Sequence, residues 1–200
     1  MSTAIVIDEL YTRFENDVDV GIGFVYCNFR RKQEQNPKNL MASLLKQLLQ
    51  GLPSMPNSLL QLYERHMLKK SLPSLEEIIQ ALQSISSEFC RVFIIVDALD
   101  ECQDLDGGHR TFLAELFTLQ SKVAANIFAT SRFIPEVEKE FEGRGAQLEI
   151  RANHEDLERY LDGHMMRLPS FVLRSPDLQN EIKDAIIKAV DGMYVSSALS

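Results

Sequence analysis

The apolar run Val92-Phe93-Ile94-Ile95-Val96 is followed by Asp97, and Asp100-Glu101 come three and four residues later. A buried strand that ends in an aspartate holds that carboxylate rigidly just beyond the sheet. It is a hard oxygen ligand, suited to Mg²⁺ bound through its waters. A second acid a few residues on is placed to orient or deprotonate a water attacking a γ-phosphate. This is the Walker B pattern, with Asp97 at the metal and Asp100 or Glu101 at the water. Taken alone, the same residues also fit a strand running out into a solvated acidic loop. A second short apolar run, Ala125–Thr130, continues into Ser131-Arg132. A guanidinium at that strand tip is placed to reach a γ-phosphate and stabilise its charge. The alternative is a surface arginine after a strand.

Other chemistries find little support. His66, His109, His154 and His164 show no H-x-x-x-H spacing, and no G-x-S-x-G elbow occurs. Cys27, Cys90 and Cys102 form no C-x-x-C pair and read as free thiols in a reducing compartment. The net charge is −8, made of −1 over residues 1–90 (9 basic, 10 acidic) and −7 over residues 91–200 (12 basic, 19 acidic). Neither part offers the basic surface that binding to nucleic acid needs, so no nucleic-acid partner is expected. The early apolar run Ala4–Ile7 has no basic flank, and no stretch approaches the ~18 apolar residues of a membrane span. The expectation is a cytoplasmic protein without a membrane partner.

The elements that must position these residues alternate. Ser2–Phe14 reads as a helix, with Val6, Leu10 and Phe14 recurring at four-residue spacing and Ile7 and Tyr11 beside them. Ile22–Phe29 reads as a strand buried on both faces. Pro37 opens a helix with a leucine stripe, stopped by Gly51 and Pro53. Ser58–Lys69 is helical, and Ser74 with Glu77 forms a capping box for the next helix. Strand Arg91–Leu99, helix His109–Val123, strand Ala125–Thr130, helix Pro135–Phe141 and strand Gln147–Arg151 follow. Asn153 caps a helix to about Arg167, Pro169–Asp177 is a loop, and Leu178–Ala198 reads as a last helical stretch. The pattern predicts an α/β fold around a parallel sheet. Ligands of such a sheet bind beyond the carboxyl ends of its strands, where Asp97 and Arg132 stand. The expected division is a core over residues 1–152 and a helical region over 153–200.

With VFIIVDALDEC (92–102) and IFATSR (127–132) in place, the chain resembles the NTPase module of NACHT-type STAND proteins. Within these it looks like the nephrocystin-like N-terminal module found in filamentous fungi, often ahead of ankyrin, WD40 or TPR repeats. IVIDEL (5–10), GIGFVYCNFR (21–30), LMASLLKQLL (40–49), SLEEIIQALQSI (74–85) and DGMY (191–194) carry the resemblance along the chain. It implies a P-loop NTPase-like three-layer fold, Mg-ATP or Mg-GTP as cofactor, slow hydrolysis, and association with itself or related NACHT proteins. It implies Asp97 on Mg²⁺ through water, Asp100 and Glu101 near the attacking water, and Arg132 as sensor.

Two departures qualify that picture. None of the nine glycines precedes a lysine, so the G-x-x-x-x-G-K-[ST] phosphate loop has no counterpart in these residues. Ser2 and Thr3 are too near Met1, with no loop around them, to replace it. After Tyr194 the sequence turns to Val-Ser-Ser-Ala-Leu-Ser where the family continues apolar. The resemblance gives the sheet order 5-1-4-3-2, and the expected fold lacks its first, central strand and the phosphate loop. Gln147–Arg151 should then dock directly beside Ala125–Thr130 or leave an open edge. The functional expectation is a partial nucleotide-binding signalling module that does not bind or hydrolyse nucleotide alone. The alternative is a catalytically dead module that associates with full-length NACHT proteins.

Overall fold

Strand β2 (Arg91–Asp97) is the spine of the fold because its apolar run has a protein layer on each side. The computed structural model describes residues 2–102, 108–123, 125–150, 154–190 and 195–199. On one side β2 pairs in parallel with β1 (Val20–Tyr26), in register from Val20 with Arg91 to Tyr26 with Asp97. On the other it pairs in parallel with β3 (Ala125–Arg132), from Val92 with Ala125 to Val96 with Ala129. The strand pattern places Asp97 and Arg132 at the same, carboxyl end of the sheet.

Side-chain alternation divides the layers. Gly21, Gly23 and Val25 of β1 are buried towards α2 (Pro37–Gly51), whose Leu44 and Leu48 meet the glycines. A Cβ on Gly21 would lie 2.9 Å from the Phe89 ring, so these glycines let the helix sit close to the strand. Behind α2 lie α4 (Leu75–Ser86) and α5 (Gly108–Lys122), the latter also on β3. Leu44, Leu82, Ile94, Phe112 and Leu116 are all at most 1% exposed in this layer. On the opposite face, α1 (Ser2–Arg13) packs on β1 and β2. Phe14, just past its end, stacks on Phe93 at 5.5 Å.

Local signals account for the helix ends. Asn36 caps α2 through Asn39 N–H, and Pro37 occupies the first turn. α3 (Asn57–Lys69) follows, closed by Lys70 in the left-handed region at φ 49°. The capping box of α4 is formed: the Ser74 hydroxyl accepts from Glu77 N–H at 3.2 Å, and Glu77 accepts from Ser74 N–H at 2.8 Å. That backbone N–H holds the Glu77 carboxyl below its ordinary range. The cap therefore contributes fully above the ordinary carboxylate range and is lost as pH falls through the lowered value.

The second part of the chain corrects three expectations. α6 (Pro135–Phe141) and β4 (Ala146–Ile150) form as the sequence suggests, followed by α7 (His154–Met165). The expected loop after Pro169 contains a short helix, α8 (Ser170–Leu173), and α9 (Pro176–Val190) ends well before Ala198. Val195–Leu199 forms strand β5 instead, and the strand order is β1-β2-β3-β5-β4. β4 therefore neither docks on β3 directly nor leaves the gap open. The position is the one the resemblance gives to the family's first strand. The signal passed over is Asp191-Gly192, a helix-stopping pair ahead of a β-branched valine. The DGMY segment and the Asn153 cap lie outside the described residues.

Two compact units divide the chain, Met1–Gln147 with Ser197–Ser200, and Leu148–Ser196. In the second, α9 packs on α7 and α8, Lys183 pairs with Asp162, and Leu161, Met165 and Val172 are buried. Among the described residues no helix is long and apolar enough to cross a membrane.

Candidate functional site

The β1–β2 ladder continues past its last pair: Cys27 N–H donates to the Asp97 carbonyl at 3.0 Å. That bond fixes the backbone from which the Asp97 carboxylate projects. Its Oδ1 accepts from the Thr130 hydroxyl of β3 at 2.8 Å and from the Thr3 hydroxyl of α1. Three elements thus converge on one carboxylate oxygen. Thr3 is 1% exposed and Thr130 is 4% exposed, so both hydroxyls are committed to this end of the sheet. Their commitment follows from burial, since an unpaired hydroxyl here would lose its bonds to water.

Thr3, too near Met1 to stand in for a phosphate loop, is nevertheless a partner of Asp97. It lies on the stripe Thr3, Ile7, Leu10, Phe14, at the spacing of a sheet-facing helix side. A single polar residue on an otherwise apolar stripe was the available signal. Tyr11, assigned to the packed side, is 48% exposed.

The chain leaves Asp97 through an unusual turn. Ala98 has φ 52° and ψ 50°, left-handed backbone that an L side chain adopts at a cost of about 1–2 kcal/mol. Its N–H donates to Thr130 Oγ1 at 3.0 Å, so the hydroxyl that holds Asp97 also holds the turn. Ala98→Gly should therefore raise stability by up to about 1 kcal/mol, and Ala98→Val should lower it by about 1 kcal/mol or more. Urea unfolding of the two variants checks this.

The turn leads into a short 3₁₀ segment, Leu99–Glu101, anchored by Leu99, which is 2% exposed. Asp100 is buried and faces β3. Arg132 N–H donates to its Oδ1 at 3.0 Å and Arg132 Nε donates to its Oδ2 at 2.5 Å. The Asp100 carboxylate holds the guanidinium above its ordinary range. Glu101 points the other way, its Oε2 accepting from Phe29 N–H at 3.2 Å. The two candidate water-orienting acids are thus in different situations. Both oxygens of Asp100 are engaged by Arg132, whereas Glu101 is half-buried with one oxygen on the Phe29 backbone.

Beneath these acids, Cys27 and Cys102 are buried free thiols. A hydrogen bond to Cys102, burial, and the charges of Asp97 and Asp100 all push the Cys27 thiol up. It is held protonated, and so packs as a small apolar group and not as a nucleophile.

Among the described residues, no group of three or more His, Cys, Asp or Glu is arranged to hold a metal ion. Both hydroxyls already donate to Asp97 Oδ1, so the group that could face a Mg²⁺ ion here is the Asp97 carboxylate, with waters and phosphate oxygens supplying the rest of the shell.

The model of the family described as nephrocystin 3, N-terminal, matches residues 1–132. That is about two thirds of the chain. The chain belongs to the nephrocystin 3 N-terminal family. No curated protein and no solved structure matches it. The matched residues include every side chain of the site just described, from Thr3 to Arg132. In this nephrocystin-like chain β1 to β3 and the strand-end cluster of Asp97, Asp100, Glu101, Thr130 and Arg132 lie within the family's span, while α6, β4, α7 to α9 and β5 lie beyond it.

Proposed function

We propose that this chain carries the Walker B and sensor half of a nucleoside-triphosphate site in a NACHT-type STAND signalling module of fungal type, without its own phosphate cradle. The observation that carries the reading is the joint anchoring of Asp97 by Thr130 and Thr3 at the carboxyl end of a parallel sheet. Asp97 would hold Mg²⁺ through water, with the hydroxyls of Thr3 and Thr130 fixing its orientation. The ion, when bound, would neutralise developing phosphate charge. Glu101 is the acid with an oxygen left for a water, and Asp100 positions Arg132. Mg-ATP or Mg-GTP is the expected cofactor class. Because the 200 residues contain no Gly-Lys pair, binding by this chain alone should be weak or absent.

A second reading, an interaction module without turnover that works on related NACHT proteins, is favoured by one contact. The sensor guanidinium is already tied to a buried acid, Asp100.

Manganese(II), a paramagnetic substitute for Mg²⁺, tests the proposed cation position. Titrated into the ¹⁵N-labelled chain, it should broaden the amides around Asp97, Ala98 and Thr130 first, at millimolar concentration. Asp97→Asn should abolish that broadening. Broadening centred on the exposed acids Glu155 and Asp156, with residues 97–101 unaffected, would remove the support for this site.

A further inference from the structure

β1 is an edge strand, paired along its length with β2 on one side only. Its outward peptide groups belong to alternate residues, and three of these four positions are already engaged. Val20 N–H donates to the Asp17 carbonyl at 3.3 Å, and the Tyr26 carbonyl accepts from Gln35 Nε2 at 3.3 Å. At Phe24, the N–H donates to Gln47 Oε1 at 3.0 Å and the carbonyl accepts from Gln47 Nε2 at 2.8 Å. The Gln47 carboxamide offers Phe24 the donor and acceptor that a neighbouring strand's peptide would offer. Between these positions, the N–H and carbonyl of Ile22 have no partner among the described residues.

A groove of about 870 Å³ runs beside this edge, walled by Tyr11 and Phe14 on one side, by Gln47 and Gly51 on the other, and floored by Ile22 and Phe24. Binding clefts commonly span about 300–1,000 Å³. Ile22 and Phe24 are only half-buried, so apolar surface lies next to the free peptide groups. The charged side chains among its described lining residues are Glu15 and Asp17, and neither forms an ion pair among the described residues. They lie at the end where the chain enters β1. The groove is concave, because Gln47 of α2 reaches past the strand to its outer side.

We propose that this groove is a strand-addition site for an extended segment of another protein, apolar at alternate positions and basic at the end beside Glu15 and Asp17. Main-chain bonds to the β1 edge supply the affinity and the alternate side chains supply selectivity. The acidic rim selects a basic flank. Gln47 is the resident plug, displaced by rotation of its side chain when the segment adds. The concave edge suits a single strand better than the broad flank of a second copy.

The test uses the full 200-residue chain and a fluorescein-labelled peptide, Lys-Arg-Val-Thr-Val-Thr-Val, followed by anisotropy. Saturable binding is expected. It should weaken about fivefold or more in the Glu15→Gln, Asp17→Asn double variant or with a Glu-Glu flank on the peptide, and tighten about threefold to tenfold in Gln47→Ala. N-methylation of alternate peptide amides should abolish it, a comparison that needs only the wild-type chain should a variant fail to fold. The proposal is overturned by equal binding of the N-methylated or acid-flanked peptide, or by no binding up to about 1 mM. Sedimentation showing that Gln47→Ala makes the chain pair with itself through β1, uncompeted by the peptide, would equally overturn it.

Discussion

Arg132→Ala should destabilise the protein by about 3 kcal/mol, the low end of the range for breaking a buried ion pair. The Asp100 side chain is 3% exposed and its Arg132 partner is 65% exposed, so the two sides of this pair are unequal. Solvent screens the exposed guanidinium and limits what the pair contributes as a charge interaction. Removing it nevertheless leaves a buried carboxylate with only the Arg132 backbone N–H for company. Asp100→Asn in the same background removes the stranded charge and should restore about half of the loss or more. Urea unfolding of the two single variants and the double variant measures the coupling. A loss below about 1 kcal/mol for Arg132→Ala would show that the contact is a surface pair of little consequence.

Leu44→Ala should cost about 3 kcal/mol or more. Leu44 is 0% exposed, and its Cδ2 would lie 3.2 Å from a Cβ on Gly23. The side chain therefore fills the space that the missing glycine side chain leaves, between α2 and β1. Truncation opens a cavity at the contact that seats β1 on the helical layer, and the close glycine backbone has no side chain with which to fill it. The change is remote from Asp97. Manganese(II) broadening at residues 97–101, measured where the variant is still folded, should keep the wild-type pattern. A loss below about 1 kcal/mol would mean that α2 shifts to refill the cavity.

The parts of the fold that were legible in the sequence are those whose signal is local. The capping box at Ser74 and Glu77, proline at the start of α2, and the apolar runs of β2 and β3 each fix an element from neighbouring residues. The carboxyl-end location of Asp97 and Arg132 follows from parallel strands, and the structure places them there. What stayed hidden depends on contacts between residues far apart in the chain. Arg132 reads equally as a free guanidinium or a paired one until the structure brings Asp100 to it, 32 residues earlier. Thr3 meets Asp97 across 94 residues. β5 was hidden for a different reason. Val195–Leu199 is a short segment of weak β character, so the Asp191-Gly192 pair could mark the end of the helix but not the strand that follows.

On the proposed function these residues form half of a nucleotide site, with a cation position at Asp97 and a sensor at Arg132 but no phosphate cradle. Isothermal titration calorimetry of the 200-residue chain with Mg-ATP, and separately with Mg-GTP, tests it most directly. The account predicts no saturable binding up to about 1 mM of either nucleotide, because no Gly-Lys loop offers backbone N–H groups and an ammonium to the phosphates. Micromolar binding of either one, lost in Asp97→Ala, would contradict it and would mean that the chain assembles a complete site by another route.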